Sequence, residues 1–351
     1  MTKDEKYMLR CLQLAANGFC TTPPNPMVGA VVVYQDRIIG EGWHVHCGQA
    51  HAEVNAIRSV KDQSLLRKST IYVSLEPCSH YGKTPPCADL IIEKGIPHVV
   101  VGCMDPFALV AGKGIQKLRN AGIQVEVGVL EKECQDLNRR FMIFHLYKRP
   151  YITLKWAESA DGFIDSTRTC GQPTRISNDL TQMIAHKRRA EHTAIIVGRK
   201  TALLDNPSLT TREWYGQSPV RLVIDKHLTL SPSLRIFDGE APTIVFTAED
   251  GISDYPNTTL IKLDFAQNIL PQIMQILYEK QLQSLLVEGG QTLLQSMINE
   301  NLWDEAFIEK GTIVLNNNGV KAPIITASCE KQMQMGRTYL HYINPISKFL
   351  K

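Results

Sequence analysis

Apolar and polar positions alternate along the first half of the chain with the periods of helices and short strands. Residues 4–17 carry apolar side chains at helical spacing, and Gly18 ends this helix. Residues 29–34 and 37–40 predict a β-hairpin. Further helices are predicted at residues 52–60, 88–94 and 113–121, and strands at residues 70–75, 98–103 and 124–129. Helices interleaved with short strands are typical of a mostly parallel sheet that is covered on both faces.

A second α/β pattern begins at Tyr151, after a basic and aromatic stretch at residues 137–148. Its predicted strands are residues 152–156, 194–197, 221–224, 243–246, 259–263 and 284–287, and its predicted helices are residues 179–190, 266–280 and 291–302. We therefore expect two α/β domains, residues 1–148 and 149–351.

Composition narrows the possible classes of protein. A hydrophobic content of 44% with 21% charged residues supplies packed cores and excludes a disordered chain. The net charge of +3 is spread along the sequence, which disfavours a nucleic-acid partner. No apolar run approaches the roughly 18 residues of a membrane span, and no signal peptide is visible. Nine scattered cysteines do not form a disulfide framework, so we expect a cytoplasmic protein with no membrane partner.

One histidine and two cysteines form the first chemical constellation. His51 opens a predicted helix, Cys78 follows a strand after Pro77, and Cys87 opens the next helix. One imidazole and two thiolates suit tetrahedral zinc with a fourth position left for water, and Glu53 can move the proton of that water. Taken alone, each of these residues is better explained as a buried cysteine or a capping histidine. The ordered set matches the H-x-E and P-C pattern of zinc nucleobase deaminases, which favours a catalytic zinc.

The spacing of the two cysteines departs from that pattern, because eight residues rather than two separate Cys78 from Cys87. With this longer spacing, most of residues 8–145 resembles the deaminase half of the bifunctional riboflavin-biosynthesis deaminase/reductase family. The resemblance rests on the motifs PNPMVGAVVV, GEGWH, HAEVNAI, EPCSHYGKTPPC, DP at 105–106 and GKGI at 112–115. It implies a cytidine-deaminase-like three-layer fold, with zinc on His51, Cys78 and Cys87 and with Glu53 as the catalytic residue.

The resemblance also implies contacts to the pyrimidine or its phosphoribosyl arm. The residues concerned are Asn25, His44, His80 and Lys83. From the residues alone, Asn25 can equally cap a turn and His44 can be a structural histidine. Phe107 and Ala108 stand where the family usually has Asn and Pro, so any contact at these two positions is expected to differ.

Glycines at strand ends mark a second constellation. No G-x-G-x-x-G opens a helix in the second half, so a Rossmann dinucleotide site is not supported. Gly198 follows an apolar strand, and Gly289 and Gly290 join a strand to a helix. Free backbone N–H groups at such a helix start can bind a pyrophosphate, although a Gly-Gly pair alone is usually only a tight turn.

In combination, residues 150–300 resemble the reductase half of the same family through LKWAESADGFI, TAIIVGRKTALLDNPSLTTR, RLVID and VEGGQTLL. The resemblance implies a dihydrofolate-reductase-like fold that uses NADPH. It assigns the substrate to Lys155, Arg189, Leu209, Arg212 and Glu288. It assigns the cofactor to Ala157, Arg175, Thr201, Asp205, Gly290, Gln291, Thr292, Leu293, Leu294, Gln295 and Ser296. Each arginine could also be a solvated charge, and Lys155 a surface lysine.

One run departs from the family. The stretch from Gly171 to Ser177 replaces a Ser-x-Trp-Ile-Thr-like sequence, so that Pro173 stands for a hydroxyl that contacts substrate and Arg175 for a tryptophan near the nicotinamide cofactor. This departure is compatible with local remodelling, with altered cofactor preference or with weakened reductase activity.

The resemblance therefore implies a bifunctional enzyme of riboflavin biosynthesis, and we expect a homo-oligomer. Water would displace the 2-amino group of 2,5-diamino-6-(5-phosphoribosylamino)pyrimidin-4(3H)-one, and NADPH would then reduce the ribosyl arm of the resulting aminouracil to ribityl. An alternative is a zinc deaminase whose second domain binds nucleotide with weak or no reductase activity. A third hypothesis, an editing protein for single-stranded nucleic acid, would need a basic, aromatic channel, which a charge of +3 and 7% aromatic residues disfavour.

Overall fold

The computed structural model describes residues 1–81, 85–107, 111–168, 173–334, 336–345 and 347. The chain divides into two compact units between Lys148 and Arg149. Among these residues no helix is both long enough and apolar enough to cross a membrane.

The first unit is a five-stranded sheet with helices on both faces. The strands are β1 (Gly29–Tyr34), β2 (Arg37–Trp43), β3 (Thr70–Leu75), β4 (His98–Cys103) and β5 (Gln124–Val127). Their order is β2-β1-β3-β4-β5, with β1 antiparallel to both neighbours and β3, β4 and β5 parallel. The sheet is therefore mixed, which corrects the expectation of a mostly parallel one, because the β1–β2 hairpin supplies its edge.

Among the described residues of this unit, six α-helices flank the sheet: α1 (Lys3–Ala15), α2 (Ala52–Ser59), α3 (Cys87–Lys94), α4 (Lys113–Asn120), α5 (Glu131–Leu137) and α6 (Arg139–Tyr147). A capping box between Thr2 and Glu5 satisfies the first N–H groups of α1. In β1, Ala30 and Val32 belong to one buried cluster and Val31 to the other, so both faces of the sheet are covered. These layers place the carboxyl end of β3 beside the starts of α2 and α3.

The second unit is built on a nine-stranded sheet. Its strands are β6 (Tyr151–Glu158), β8 (Ala194–Gly198), β9 (Val220–Ile224), β10 (Thr243–Thr247), β11 (Thr258–Lys262), β12 (Ser284–Val287), β13 (Glu305–Lys310), β15 (Cys329–Gln334) and β16 (Thr338–Ile343). They run in the order β11-β10-β9-β8-β12-β6-β13-β16-β15, and the first seven are parallel. Two further strands, β7 (Phe163–Ser166) and β14 (Gly319–Lys321), pair with each other.

Within the part of this unit that the structure describes there are four α-helices: α7 (Asp179–Ala190), α8 (Arg199–Asp205), α9 (Ile269–Glu279) and α10 (Gln291–Asn299). The main core packs α9 and α10 against the central strands, with Ile152, Leu285 and Ala306 fully buried. Because β8 and β12 are parallel neighbours, their carboxyl ends deliver Gly198 and Glu288 to the same edge of the sheet. That edge is where a ligand site is expected in a parallel sheet.

Candidate active sites

Three side chains converge at the carboxyl end of β3. His51 is the residue before α2, Cys87 is the first residue of α3, and Cys78 lies in the loop that follows β3. One ligand atom from each lies within 4.8 Å of the others, and His51 Nδ1 is 3.6 Å from Cys78 Sγ and 3.4 Å from Cys87 Sγ. Ligand atoms on one tetrahedral zinc lie about 3.4–3.8 Å apart, given bonds of about 2.0–2.3 Å. The three residues therefore fit a zinc ion with a fourth position open.

The surroundings already favour a thiolate in this group. Hydrogen bonding with the Cys87 thiol and with His51 lowers the pKa of Cys78 to about 4, and the Cys87 backbone N–H donates to Cys78 Sγ at 3.3 Å. The shared proton and burial raise the pKa of Cys87. A bound zinc ion would offset that rise, because a coordinating thiol is deprotonated.

Glu53 is a buried carboxylic acid next to the metal group. Its side chain is 3% exposed, and burial raises its pKa to about 7, with a further rise from the Cys78 thiolate. The same carboxyl group makes a hydrogen bond with Cys87. An acid of this pKa beside the metal group can both accept and return a proton near neutral pH.

Asn25 and His44 form a hydrogen-bonded pair beside His51. The His44 ring is 5.3 Å from the His51 ring, its Nε2 is 3.1 Å from Asn25 Nδ2, and its Nδ1 is 3.2 Å from the Ala50 carbonyl. Burial lowers the pKa of His44, so the ring is neutral and both nitrogens are already paired. Asn25 is half-buried, and unlike His44 it has side-chain polar groups that the pair does not use.

His80 is exposed, and its ring centroid is 6.4 Å from that of Phe107. Phe107 in turn lies 5.0 Å from His145, so an aromatic surface occupies the position where an asparagine was expected. Lys83 and Ala108 lie outside the described residues.

Sequence reasoning missed Glu76, which supports the metal loop from behind. Its carboxylate is 4% exposed and accepts four backbone N–H groups. The donors are Asp105 and Gly112 on one oxygen and Gly114 and Ile115 on the other, at 2.9–3.3 Å. Because Glu76 precedes Pro77 and Cys78, these bonds fix the loop that carries a metal ligand.

The second unit holds a cavity of about 480 Å³ at the carboxyl edge of its sheet. Of the residues assigned to substrate and cofactor above, those that line it are Lys155, Ala157, Arg175, Arg189, Thr201, Leu209, Asp205, Glu288, Gly290, Gln291, Thr292 and Leu293. Sequence reasoning missed other polar lining residues, among them Asp165, Arg168, Thr174, Ser177, Gln182 and Lys200. A volume of this size suits a small-molecule ligand.

A charge pair occupies one wall of the cavity. Burial alone would raise the pKa of Glu288, but the Arg189 guanidinium, 2.7 Å away, and the Lys155 ammonium hold it below its usual value. Glu288 Oε1 and Arg189 Nε are buried and have no hydrogen-bond partner among the described residues. Since buried polar groups are normally paired, these two atoms fit a polar ligand.

Arg212 does not line the cavity, but Thr210 connects it to Arg189. The Thr210 hydroxyl accepts from Arg212 at 2.8 Å, and its carbonyl accepts from Arg189 at 3.4 Å. The Arg212 backbone N–H donates to His186 Nδ1 at 3.1 Å. Both guanidinium groups therefore donate to the same residue, Thr210.

The turn before α10 faces the end of β8. The Gly290 N–H donates to the Thr201 hydroxyl at 3.0 Å, and a Cβ on Gly290 would lie 3.3 Å from that oxygen. This contact joins the turn before α10 to the first turn of α8 at one point of the cavity. Further along α10, Leu294 is buried in the core, the Gln295 side chain bonds the Ile324 backbone at 2.9 Å, and Ser296 does not line the cavity.

The stretch that departs from the family, residues 171–177, is called the remodelled run here, and it places a hydroxyl group at the site. The Thr174 hydroxyl bonds that of Ser166 at 2.7 Å and accepts the Ser166 N–H at 3.0 Å. Arg175 is an exposed rim residue that pairs with Asp179. Gly171 and Gln172 lie outside the described residues. Thr174 therefore stands beside Pro173 as a hydroxyl-bearing lining residue.

Two family models match the chain. The model of the cytidine and deoxycytidylate deaminase zinc-binding region matches residues 1–103, and the model of the RibD C-terminal domain matches residues 150–317. Each match covers one of the two constellations.

Known relatives match both parts together. The riboflavin biosynthesis protein RibD of Aquifex aeolicus is 41% identical over 312 residues, which is 87% of this chain and 86% of the relative. RibD of Escherichia coli is 36% identical over 323 residues, 87% of each chain. The solved deaminase and 5-amino-6-(5-phosphoribosylamino)uracil reductase of Thermotoga maritima is 36% identical, with a TM-score of 0.85 over 97% of this chain and 98% of that chain. Acinetobacter baumannii RibD has a TM-score of 0.86 at 30% identity, with the same shares covered.

Proposed function

Because the chain belongs to the RibD family of bifunctional riboflavin-biosynthesis proteins, we propose that each of its two units carries one of the family's two reactions. The chain is a deaminase and a reductase, it uses zinc and NADPH, and it acts on a small pyrimidine substrate. The predicted folds, cytidine-deaminase-like followed by dihydrofolate-reductase-like, are confirmed. The assignment of residues 1–148 to deamination and 149–351 to reduction is part of the proposal, and the division between Lys148 and Arg149 supports it.

In the first unit the proposed substrate is 2,5-diamino-6-(5-phosphoribosylamino)pyrimidin-4(3H)-one. His51, Cys78 and Cys87 would hold zinc, which when bound makes a water molecule nucleophilic at neutral pH. Glu53 takes a proton from that water and returns one to the departing 2-amino group, which leaves as ammonia. Asn25, His44, His80 and Lys83 would bind the pyrimidine or its phosphoribosyl arm.

In the second unit the product aminouracil would lie against Lys155, Arg189, Leu209 and Glu288, with Arg189 and Arg212 holding its phosphate. NADPH supplies the hydride that converts the ribosyl arm to ribityl. The positive charge of Lys155 helps to lower the pKa of Glu288. Lys155 would also donate a proton to the reduced sugar. The cofactor would lie along Ala157, Arg175, Thr201, Asp205 and residues 290–293, whereas Leu294, Gln295 and Ser296, which the resemblance also assigned to it, do not line the cavity.

One observation carries this proposal furthest: three metal-ligand atoms within 4.8 Å of one another stand beside a carboxyl group that is 3% exposed. Nothing in packing alone requires an acid there, because burying a carboxyl group is costly. A proton-transfer role at the metal accounts for its position.

The test is Glu53→Gln, which keeps the size of the side chain and removes its acid. Ammonia release should fall by about 10²–10⁴-fold, with zinc content unchanged. NADPH oxidation with pre-deaminated substrate should stay the same. Glu93→Gln, at a side chain that is 70% exposed in α3, is the matched control and should alter neither activity. Loss of both activities together in Glu53→Gln would contradict separate sites.

Cytoplasmic location and a homo-oligomeric state belong to the same proposal. Of the described cysteines, Cys11, Cys47, Cys78, Cys87, Cys103, Cys134 and Cys329 are free thiols, which supports a reducing compartment, and Cys170 lies outside the described residues. Light scattering of the purified protein against the chain mass of 39.4 kDa tests the oligomeric state.

A further inference from the structure

Arg168 connects two walls of the cavity in the second unit. It follows β7, and its Nε donates to Asp165 at 2.6 Å. Its Nη2 donates to the Asp205 carboxylate at the end of α8, and its Nη1 donates to the Leu204 carbonyl at 3.0 Å. The side chain is only 12% exposed although it lines the cavity. One guanidinium therefore joins the β7 loop to the carboxyl end of α8.

The β7 end of this connection is itself fixed. Asp165 also accepts the backbone N–H groups of Ser166 at 3.0 Å and Thr174 at 3.2 Å. Asp165 thus joins the strand end, Arg168 and the remodelled run in one hydrogen-bonded group. Arg168 is therefore fixed by its hydrogen bond to Asp165. Asp205, on the opposite wall of the cavity, is the more exposed of its two carboxylate partners, with its side chain 34% exposed.

The negative charge of Asp205 affects the binding of anionic ligands in the cavity. The described lining of the cavity holds five cationic side chains, Lys155, Arg168, Arg175, Arg189 and Lys200, against three carboxylates, Asp165, Asp205 and Glu288. NADPH and a phosphorylated substrate are both polyanions, so an unpaired Asp205 would repel them. Arg168 removes that repulsion and points the carboxylate in one direction.

We propose that Arg168 is a positioning residue for NADPH: it holds Asp205 and the end of α8 in the arrangement that the cofactor binds. This inference rests on the proposed function, because Asp205 and Thr201 of α8 are assigned to the cofactor there. Arg168 acts on cofactor affinity and takes no part in hydride transfer.

The experiment is a direct titration of the full-length protein with NADPH, together with steady-state reduction of pre-deaminated substrate. Arg168→Ala should raise the NADPH dissociation constant at least about tenfold, the scale of one lost charge-assisted bond. The kcat at saturating NADPH should change less than about threefold, because an effect on KM alone marks lost binding rather than lost chemistry. Arg168→Lys should regain part of the affinity, since it keeps the charge but lacks the planar fork.

Two further variants separate positioning from simple support of the helix. Arg235 bonds Asn206 just beyond α8, through Nε at 2.7 Å, but does not line the cavity, so Arg235→Ala is the matched control and should leave affinity unchanged. In an Asp205→Asn background, Arg168→Ala should add little, because the ion pair is already lost.

Unchanged NADPH affinity in a folded Arg168→Ala protein would overturn the inference. Equal weakening by Arg235→Ala, or full additivity with Asp205→Asn, would overturn it as well. If the unsubstituted protein bound no NADPH, the reductase assignment itself would fail, which is a different result from binding that Arg168 does not affect.

Discussion

Glu53, Glu76 and Glu288 are buried carboxyl groups, and each has a different kind of partner. Glu53 lies beside Cys87 of the metal group, and its raised pKa suits proton transfer. Among the described residues, the partners of Glu76 are all backbone N–H groups, so it fixes a loop. Glu288 faces Arg189 and keeps one oxygen without a partner among the described residues, so it is ready for a ligand. The partner of each carboxyl group thus indicates its role.

At the same scale, Arg189 and Arg212 are predicted to share the substrate phosphate through their common anchor Thr210. Arg189→Ala or Arg212→Ala should lower kcat/KM for reduction by about 1.5–3 kcal/mol, roughly ten- to a hundredfold. Arg212→Lys should lose less, because it keeps the charge. NADPH affinity, measured by titration, should hardly move. A loss of NADPH affinity as large as the loss of kcat/KM would place these arginines at the cofactor instead.

Single residues were predictable where their chemistry is unusual for the position. His51, Cys78 and Cys87 form a recognisable ordered set, and the structure brings the three together. Glu76 and Arg168 gave no such signal, because the backbone groups that Glu76 binds and the Asp205 carboxylate that Arg168 binds are about 30–40 residues away in the sequence. Their roles depend on contacts that only the folded chain creates.

The elements that carry the second site are the carboxyl ends of parallel strands and the helices that follow them. β12 leads into the turn before α10, and β8 leads into α8. Gly290 of that turn contacts Thr201 in the first turn of α8. The space beside Gly290 is limited, because a side chain there would bring its Cβ to 3.3 Å from the Thr201 hydroxyl. Any side chain at Gly290 would therefore require the Thr201 hydroxyl to move slightly.

Gly290→Ala should therefore weaken NADPH binding modestly, and Gly290→Leu should weaken it strongly, because a larger side chain displaces Thr201 and blocks approach to the helix start. Titration with NADPH measures both. Ammonia release serves as the internal control and should be unchanged. Equal NADPH affinity in Gly290→Leu would mean that the cofactor does not approach this turn.

Most elements around the two sites could be predicted from periodicity, whereas several others could not. Helices α5 and α6 were not assigned, because α5 buries only Cys134 and α6 buries four consecutive residues, 141–144, so neither shows the one-sided apolar stripe of an amphipathic helix. Strand β15 exposes nearly every residue, so it lacks the alternation that marks a half-buried strand. Helix α8 is too short, at seven residues, for its periodicity to be recognised.

For the whole molecule, the central claim is that one chain carries two chemically independent sites, one that needs zinc and one that needs NADPH. Each set of residues lies within one of the two compact units. Removal of the zinc should therefore stop one reaction and leave the other.

The most direct measurement follows ammonia release and NADPH oxidation in the same tube, before and after zinc is removed with a chelator. With the diamino substrate, the metal-free protein should release no ammonia and, lacking deaminated product, should oxidise no NADPH. Supplying pre-deaminated substrate should restore NADPH oxidation alone, and returning zinc should restore ammonia release. Undiminished ammonia release without zinc, or no NADPH oxidation with pre-deaminated substrate before the metal is removed, would contradict the account.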